Sequence, residues 1–113
     1  MMIKAHNVYK SKKLIKISLT YDQENKLIHS ITITGDFFLY PEEALDQLES
    51  SLIGTKMDKY PLRETIEKAL EHVDVFGFDS YSLTDAILGC LKAEQEISER
   101  KDEKKQKRGV YRV

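Results

Sequence analysis

Tryptophan is absent from the 113 residues, cysteine occurs once (Cys90), and there are only two prolines and five glycines. A single cysteine excludes an intramolecular disulfide framework, and it excludes a structural zinc or iron-sulfur site built from thiolates of this chain alone. With no disulfides to maintain, the expected compartment is the cytoplasm. No apolar run approaches the roughly 18 residues of a membrane-spanning helix, and the start Met1-Met2-Ile3-Lys4-Ala5-His6 leads into polar sequence rather than a signal-peptide core. A soluble, unexported chain without a membrane partner is expected. Neither sign of charge dominates: Lys and Arg number 18 against 19 for Asp and Glu, a net charge of -1. Bulk attraction to nucleic acid or an anionic membrane is therefore missing, and any basic patch must be local. The three histidines, His6, His29 and His72, stand far apart, without the i, i+4 spacing that places two imidazoles on one metal. No metal site is expected.

What is present describes one small globular domain. A content of 41% hydrophobic and 33% charged residues can supply a core, and the length fits one core but not two. In residues 14–21, Ile15, Ile17, Leu19 and Tyr21 alternate with Lys16, Ser18 and Thr20, the period of a strand with one buried face. Residues 27–34 form a second β-branched stretch with Ile31 and Ile33 on one face and Thr32 and Thr34 on the other. The turn-rich Asp22-Gln23-Glu24-Asn25-Lys26 between them predicts an antiparallel hairpin. Simple alternation puts Ile28 opposite Ile31, so the hairpin reads as not cleanly one-sided. Val8 and Tyr9 are compatible with a short edge strand.

Three helices follow in the pattern. Pro41 with Glu42 and Glu43 predicts a helix start, carried on by Leu45, Leu48 and Leu52 and stopped at Gly54. Pro61 opens a second, with Leu62, Ile66, Ala69, Leu70 and Val73 on one face. The third begins near Ser82 as its cap and carries Leu83, Ala86, Ile87, Cys90 and Leu91. The fold class is α+β, a small antiparallel sheet (a hairpin plus a possible edge strand) followed by three helices. Residues 1–97 form the domain and 98–113 a charged C-terminal extension. That extension reads either as the last helix continuing into solvent, with Glu96 to Arg100 and Glu103 to Lys107 four apart, or as a docking tail with a basic end.

Few residues offer chemistry. Gly54-Thr55-Lys56 has the outline of a phosphate-binding loop but lacks the upstream glycine and the preceding strand, so it reads as a helix stop. Cys90 lies in an apolar helical stripe, where a thiol behaves as a small hydrophobe; the competing reading is a nucleophile or sulfur carrier. Gly35-Asp36-Phe37-Phe38 followed by Leu39-Tyr40-Pro41 stands out at the junction of hairpin and helix. Glycine permits a sharp change of direction, Asp can bind local backbone N–H groups, and two adjacent Phe must point to different sides. Either this is a well-packed corner or Gly35, Asp36, Phe37, Phe38 and Tyr40 face a partner.

The segment Lys13-Leu14-Ile15-Lys16-Ile17-Ser18-Leu19, the second strand running Ile31-Thr32-Ile33-Thr34 into Gly35-Asp36-Phe37-Phe38, and the helix ending Leu52-Ile53-Gly54 resemble the C-terminal accessory domain of lipoate-protein ligases. The likeness spans about residues 8–91. Family members often carry Gly-Gly-Lys before the first long strand; Ser11-Lys12-Lys13 stands there in this chain, so only Lys13 carries over. The resemblance implies a fold similar to iron-sulfur scaffold and sulfur-acceptor proteins, and an arrangement of the archaeal type in which this domain is a separate subunit. It implies an accessory role with no catalytic residue here: the partner, a catalytic ligase subunit in a heterodimer, handles lipoate and ATP with Mg, and this chain binds no cofactor alone. It implies lipoyl-adenylate formation, then transfer to a lipoyl domain or glycine-cleavage H protein, with no nucleic acid involved. Lys10, Lys12, Lys13 and Lys16 cluster at the entry to the first strand. Under the resemblance, Lys13 and Lys10 face the nucleotide side; the alternative is that these lysines guard an edge strand against aggregation. The function reading from a different class is a sulfur-acceptor or scaffold-like protein acting through Cys90.

Overall fold

The computed structural model describes the backbone of residues 1–103 and the side chains of residues 1–91. Three strands, β1 (Met2–Lys10), β2 (Leu14–Asp22) and β3 (Ile28–Gly35), form an antiparallel sheet in that order. Alternation decides which side of it is covered. Ile15, Ile17, Leu19 and Tyr21 of β2 and Ile31 and Ile33 of β3 all point to one face and are buried. Helices α1 (Ala44–Leu52) and α3 (Ser80–Glu103) pack there, α1 against β3 and α3 across β1 and β2, while α2 (Lys59–Ala69) bridges the two helices. Leu48, Leu52, Leu62, Ile66, Leu83, Ile87 and Cys90 close the core from the helical side.

Several expectations change. The edge strand is not a two-residue remnant around Val8 and Tyr9: it is nine residues long and paired along its length, from Met2 with Asp22 to Lys10 with Leu14. Its inward positions, Ile3, Ala5, Asn7 and Tyr9, are mixed in polarity, which hides the period. Asn7 compensates by donating Nδ2–H to the Ala86 carbonyl of α3 at 3.0 Å, and Gly89 leaves the room, because a Cβ there would meet the Asn7 amide.

The hairpin is one-sided after all. Thr20 pairs with Ser30 but Tyr21 pairs with Ile28, so His29 is the extra residue of a β-bulge. One inserted residue reverses the alternation and turns both Ile28 and Ile31 into the core.

Helix starts also move. Pro41 belongs to a turn whose carbonyl accepts from Ala44, and α1 begins only at Ala44. The cap of α2 is Asp58, whose Oδ1 accepts from the Lys59 N–H at 2.9 Å, with Pro61 inside the first turn; α2 ends at Ala69, short of Val73. The cap of α3 is Asp79 rather than Ser82. Asp79 Oδ1 accepts from the Ser82 N–H at 2.8 Å while Ser82 Oγ accepts from the Asp79 N–H at 3.0 Å, a reciprocal capping box. These bonds hold the Asp79 carboxyl below its ordinary range, with a smaller contribution from nearby Lys12. Gly54 does end its helix and also seams it to the sheet: its N–H donates to the Ile28 carbonyl at 2.7 Å, and the Ile28 N–H donates to Thr55 at 3.0 Å.

An unforeseen element completes the fold. β4 (Phe38–Tyr40) and β5 (Asp74–Phe76) form a separate two-stranded antiparallel ribbon, so the order of elements is not simply strands and then helices. The backbone of α3 stays helical past residue 97 to Glu103. The side chains of the Glu96–Arg100 and Glu103–Lys107 pairs, and the basic end at 104–112, lie outside the described residues. Among the described residues, no helix is long and apolar enough to cross a membrane.

Candidate functional site

The site is built at the end of the sheet where β2 begins and β3 ends. Gly35 has φ +150°, and a Cβ there would collide with the Leu14 carbonyl, so only glycine fits. The chain then turns, and the Asp36 N–H donates to that same Leu14 carbonyl at 3.0 Å. This bond ties the glycine-aromatic segment to the start of β2, just past the β1–β2 turn, at the residue directly after Lys13. Two groups far apart in sequence, Lys13 and Gly35-Asp36, thus become neighbours.

Beyond the turn the two phenylalanines part. Phe37 is half-buried and meets Phe78 edge-on, with ring centroids 5.1 Å apart at 87°. Gly77 (φ +116°) makes this possible, since a Cβ would stand 2.8 Å from Phe37 Cβ. Phe38 points outward. In β4, Leu39 faces inward and is buried opposite Val75, while Phe38 pairs with Phe76 of β5. Their centroids are 5.7 Å apart, and the rings stay 54% and 58% exposed; Tyr40, two residues on, is 64% exposed. Three large rings therefore share the solvent face of a ribbon, a composition that marks a contact surface better than a monomer's exterior.

The lysines divide. Lys10 and Lys16 project from the outer face of the sheet, where Lys16 pairs across to Val8 and Thr34; Lys12 and Lys13 stay at the tip. Lys12 lies near Asp79, at the start of α3. Tyr9, one strand position from Lys10, donates a long 3.5 Å bond to Asp85 of α3. Partial burial, then the Asp85 and Asp79 carboxylates, push the Tyr9 phenol above its ordinary value, so it stays a neutral donor.

Phe76 escaped the sequence reading. The available signal was Asp74-Val75-Phe76 before Gly77, a β-branched and aromatic run between two helical patterns. A second missed surface lies across α2 and α3, where the Arg63 guanidinium sits 4.4 Å from the Tyr81 ring centroid and 5.9 Å from that of Tyr60. These residues, with Glu64 and Glu67, line an open groove of about 410 Å³.

Cys90 is fully buried, and burial pushes its thiol up to about 12. A thiolate is the reacting form of cysteine, so this side chain is packed as an apolar group. Among the described residues, no three His, Cys, Asp or Glu side chains converge as metal ligands.

The geometry defines a class first: a small α+β module that offers a surface of aromatic rings and cations. Residues 5–91 match the family described as bacterial lipoate protein ligase C-terminus, and the chain belongs to that family. Among curated relatives, lipoate-protein ligase A subunit 2 of Thermoplasma acidophilum is 39% identical over 51 residues, which cover 45% of this chain and 53% of the relative. The match thus spans about half the length of that protein. The fold is also that of a chain from an archaeal lipoylation system, a bi-partite lipoate protein ligase and its E2 lipoyl domain from Thermoplasma acidophilum. That chain superposes with a TM-score of 0.67 at 28% identity, covering 77% of this chain and 97% of that one.

Proposed function

We propose that this chain is the accessory subunit of a two-component lipoate-protein ligase and that it completes the adenylation site of a catalytic subunit. The observation that supports this most is the fold likeness to nearly the whole of a chain from the bi-partite ligase, together with family membership over residues 5–91. The docking surface is the outward face of the β4–β5 ribbon: Phe38, Tyr40 and Phe76 supply contact area, and Gly35 and Asp36 fix the ribbon to the start of β2. In the reaction, a lipoate carboxylate oxygen attacks the α-phosphorus of ATP, the bond to the β-phosphate oxygen breaks, and pyrophosphate leaves. An acceptor lysine amine then attacks the acyl carbon, AMP departs, and the amine loses a proton.

The first step places negative charge on the phosphates, which a dry site with fixed cations stabilises. A covering subunit can provide both: the aromatic face excludes water at the rim, and Lys13, with Lys10 behind it, is directed to the nucleotide side. This division of labour needs no nucleophile in the accessory chain, in keeping with the buried Cys90. The direct test mixes the catalytic subunit, lipoate and ATP, with Mg, and measures pyrophosphate release with and without this chain. Release rising at least about tenfold on addition is expected, given the size of one preorganised electrostatic contribution. Release that is the same in both reactions overturns the proposal. A Lys13→Ala chain that binds the catalytic subunit normally but supports full adenylation would remove Lys13 from the nucleotide side.

A further inference from the structure

Among the described residues nothing covers the outer face of the three-stranded sheet, and its charge is unlike that of residues 36–91. Residues 1–35 hold six lysines against two carboxylates, and residues 36–91 hold four cations against twelve carboxylates. The register gathers the positive half. Lys4 and His6 alternate outward along β1, with Lys10 ending that row at the proposed nucleotide side; Lys16 lies beside Val8 on β2, and not one Asp or Glu occurs in 4–10, 14–20 or 30–34. Lys4, Lys10 and Lys16 make no ion pair among the described residues. Hydroxyls fill the positions between them: Thr20 and Ser30 bond across strands at 2.7 Å, and Ser18, Thr32 and Thr34 border Lys16 in a shallow groove of about 270 Å³.

We propose that this face docks a carboxylate-rich protein surface, separate from the ribbon that meets the catalytic subunit. The chemistry selects the occupant. Unpaired lysines at strand spacing, with hydroxyl donors between them and no carboxylate to repel an acid, complement an acidic protein patch. A single-stranded nucleic acid would need aromatic rings on which to stack bases, and the outward positions of 4–10, 14–20 and 30–34 carry none of Phe, Tyr or Trp. An anionic membrane would need apolar side chains to insert, and Val8 stands nearly alone there. The acidic helical layer on the opposite side also orients the molecule, so that this face leads toward a negative surface.

The test titrates the full chain, isotope-labelled, with poly-L-glutamate and follows backbone amide shifts by NMR. In parallel it uses a single-stranded oligonucleotide and phosphatidylglycerol vesicles as competing probes. The expected result is shifts confined to 4–8, 16–20 and 30–34, with the ribbon amides unmoved. Affinity should fall about tenfold or more in Lys4→Glu/Lys16→Glu and should weaken as salt rises from roughly 50 to 300 mM. Lys4→Gln/Lys16→Gln, which adds no repulsion, should show a smaller loss and stands in if the reversed-charge variant does not fold. Shifts elsewhere, equal affinity in the variants, or tighter binding of the oligonucleotide or the vesicles would each overturn the proposal. The inference is independent of the ligase reading: pyrophosphate release in Lys4→Glu/Lys16→Glu should match wild type. If the chain fails to stimulate release while poly-L-glutamate still maps to the sheet face, only the ligase reading falls.

Discussion

The body of the molecule and its ribbon use apolar residues in opposite ways. In the body, bulge, cap and seam all serve to bury them: the His29 bulge turns Ile28 inward, and Gly54 closes α1 against β3. Even the free edge of β3 is attended, since Glu49 Oε2 accepts from the Ile33 N–H at 2.8 Å. In the ribbon, only Leu39 is buried, and three rings are left in solvent. Full burial of one such ring stabilises by about 1.5–3 kcal/mol, so this is apolar area withheld from folding and available for association. The body holds its apolar residues for stability and the ribbon leaves its rings exposed, so under the proposed docking mutations should separate stability from contact.

The largest effect should come from the body. Leu48→Ala removes a fully buried side chain between α1 and the sheet and should cost about 2–5 kcal/mol in urea unfolding. Next, if the proposed docking face is right, Phe38→Ala should lower affinity for the catalytic subunit by about 2 kcal/mol while leaving the unfolding midpoint nearly unchanged, because its ring is exposed and outside the core. A loss of stability equal to the loss of binding would break the comparison. Cys90→Ala should cost about 1–2 kcal/mol of stability and leave pyrophosphate release intact below the melting temperature. Alkylation of the native thiol should be much slower than in urea.

The smallest effect is at a cap. Asp79→Ala should cost about 1 kcal/mol at neutral pH. Because the folded state holds this carboxyl below its ordinary value, the contribution is fully present above the ordinary value and is lost as pH falls through the folded one. Unfolding curves of wild type and variant should therefore converge below about pH 4, where the carboxyl begins to protonate in the unfolded chain. A gap that widens in acid would contradict the capping geometry.

The clean periods in the sequence were the readable part. β2 alternates without error, and the α3 stripe of Leu83, Ala86, Ile87 and Cys90 is regular, so both elements and their buried faces were legible. β1 was not, because Asn7 occupies an inward position and its partner on α3 is 79 residues away. The bulge was invisible for a related reason: which residue is extra depends on the neighbouring strand, and that information is not local. Of the candidate site, Gly35 and the divergence of Phe37 from Phe38 followed from local rules. Phe76 and the adjacency of Lys13 to Asp36 did not, since both arise from pairings between distant segments.

Calorimetric titration of the catalytic subunit with wild-type chain and with Phe38→Ala/Phe76→Ala tests the separation of contact from stability most directly. The account predicts binding by wild type and a loss of about 100-fold or more in a variant that remains folded, as expected for removal of two contact anchors. A folded variant that binds as tightly as wild type would show that the ribbon's rings are not where the subunits meet.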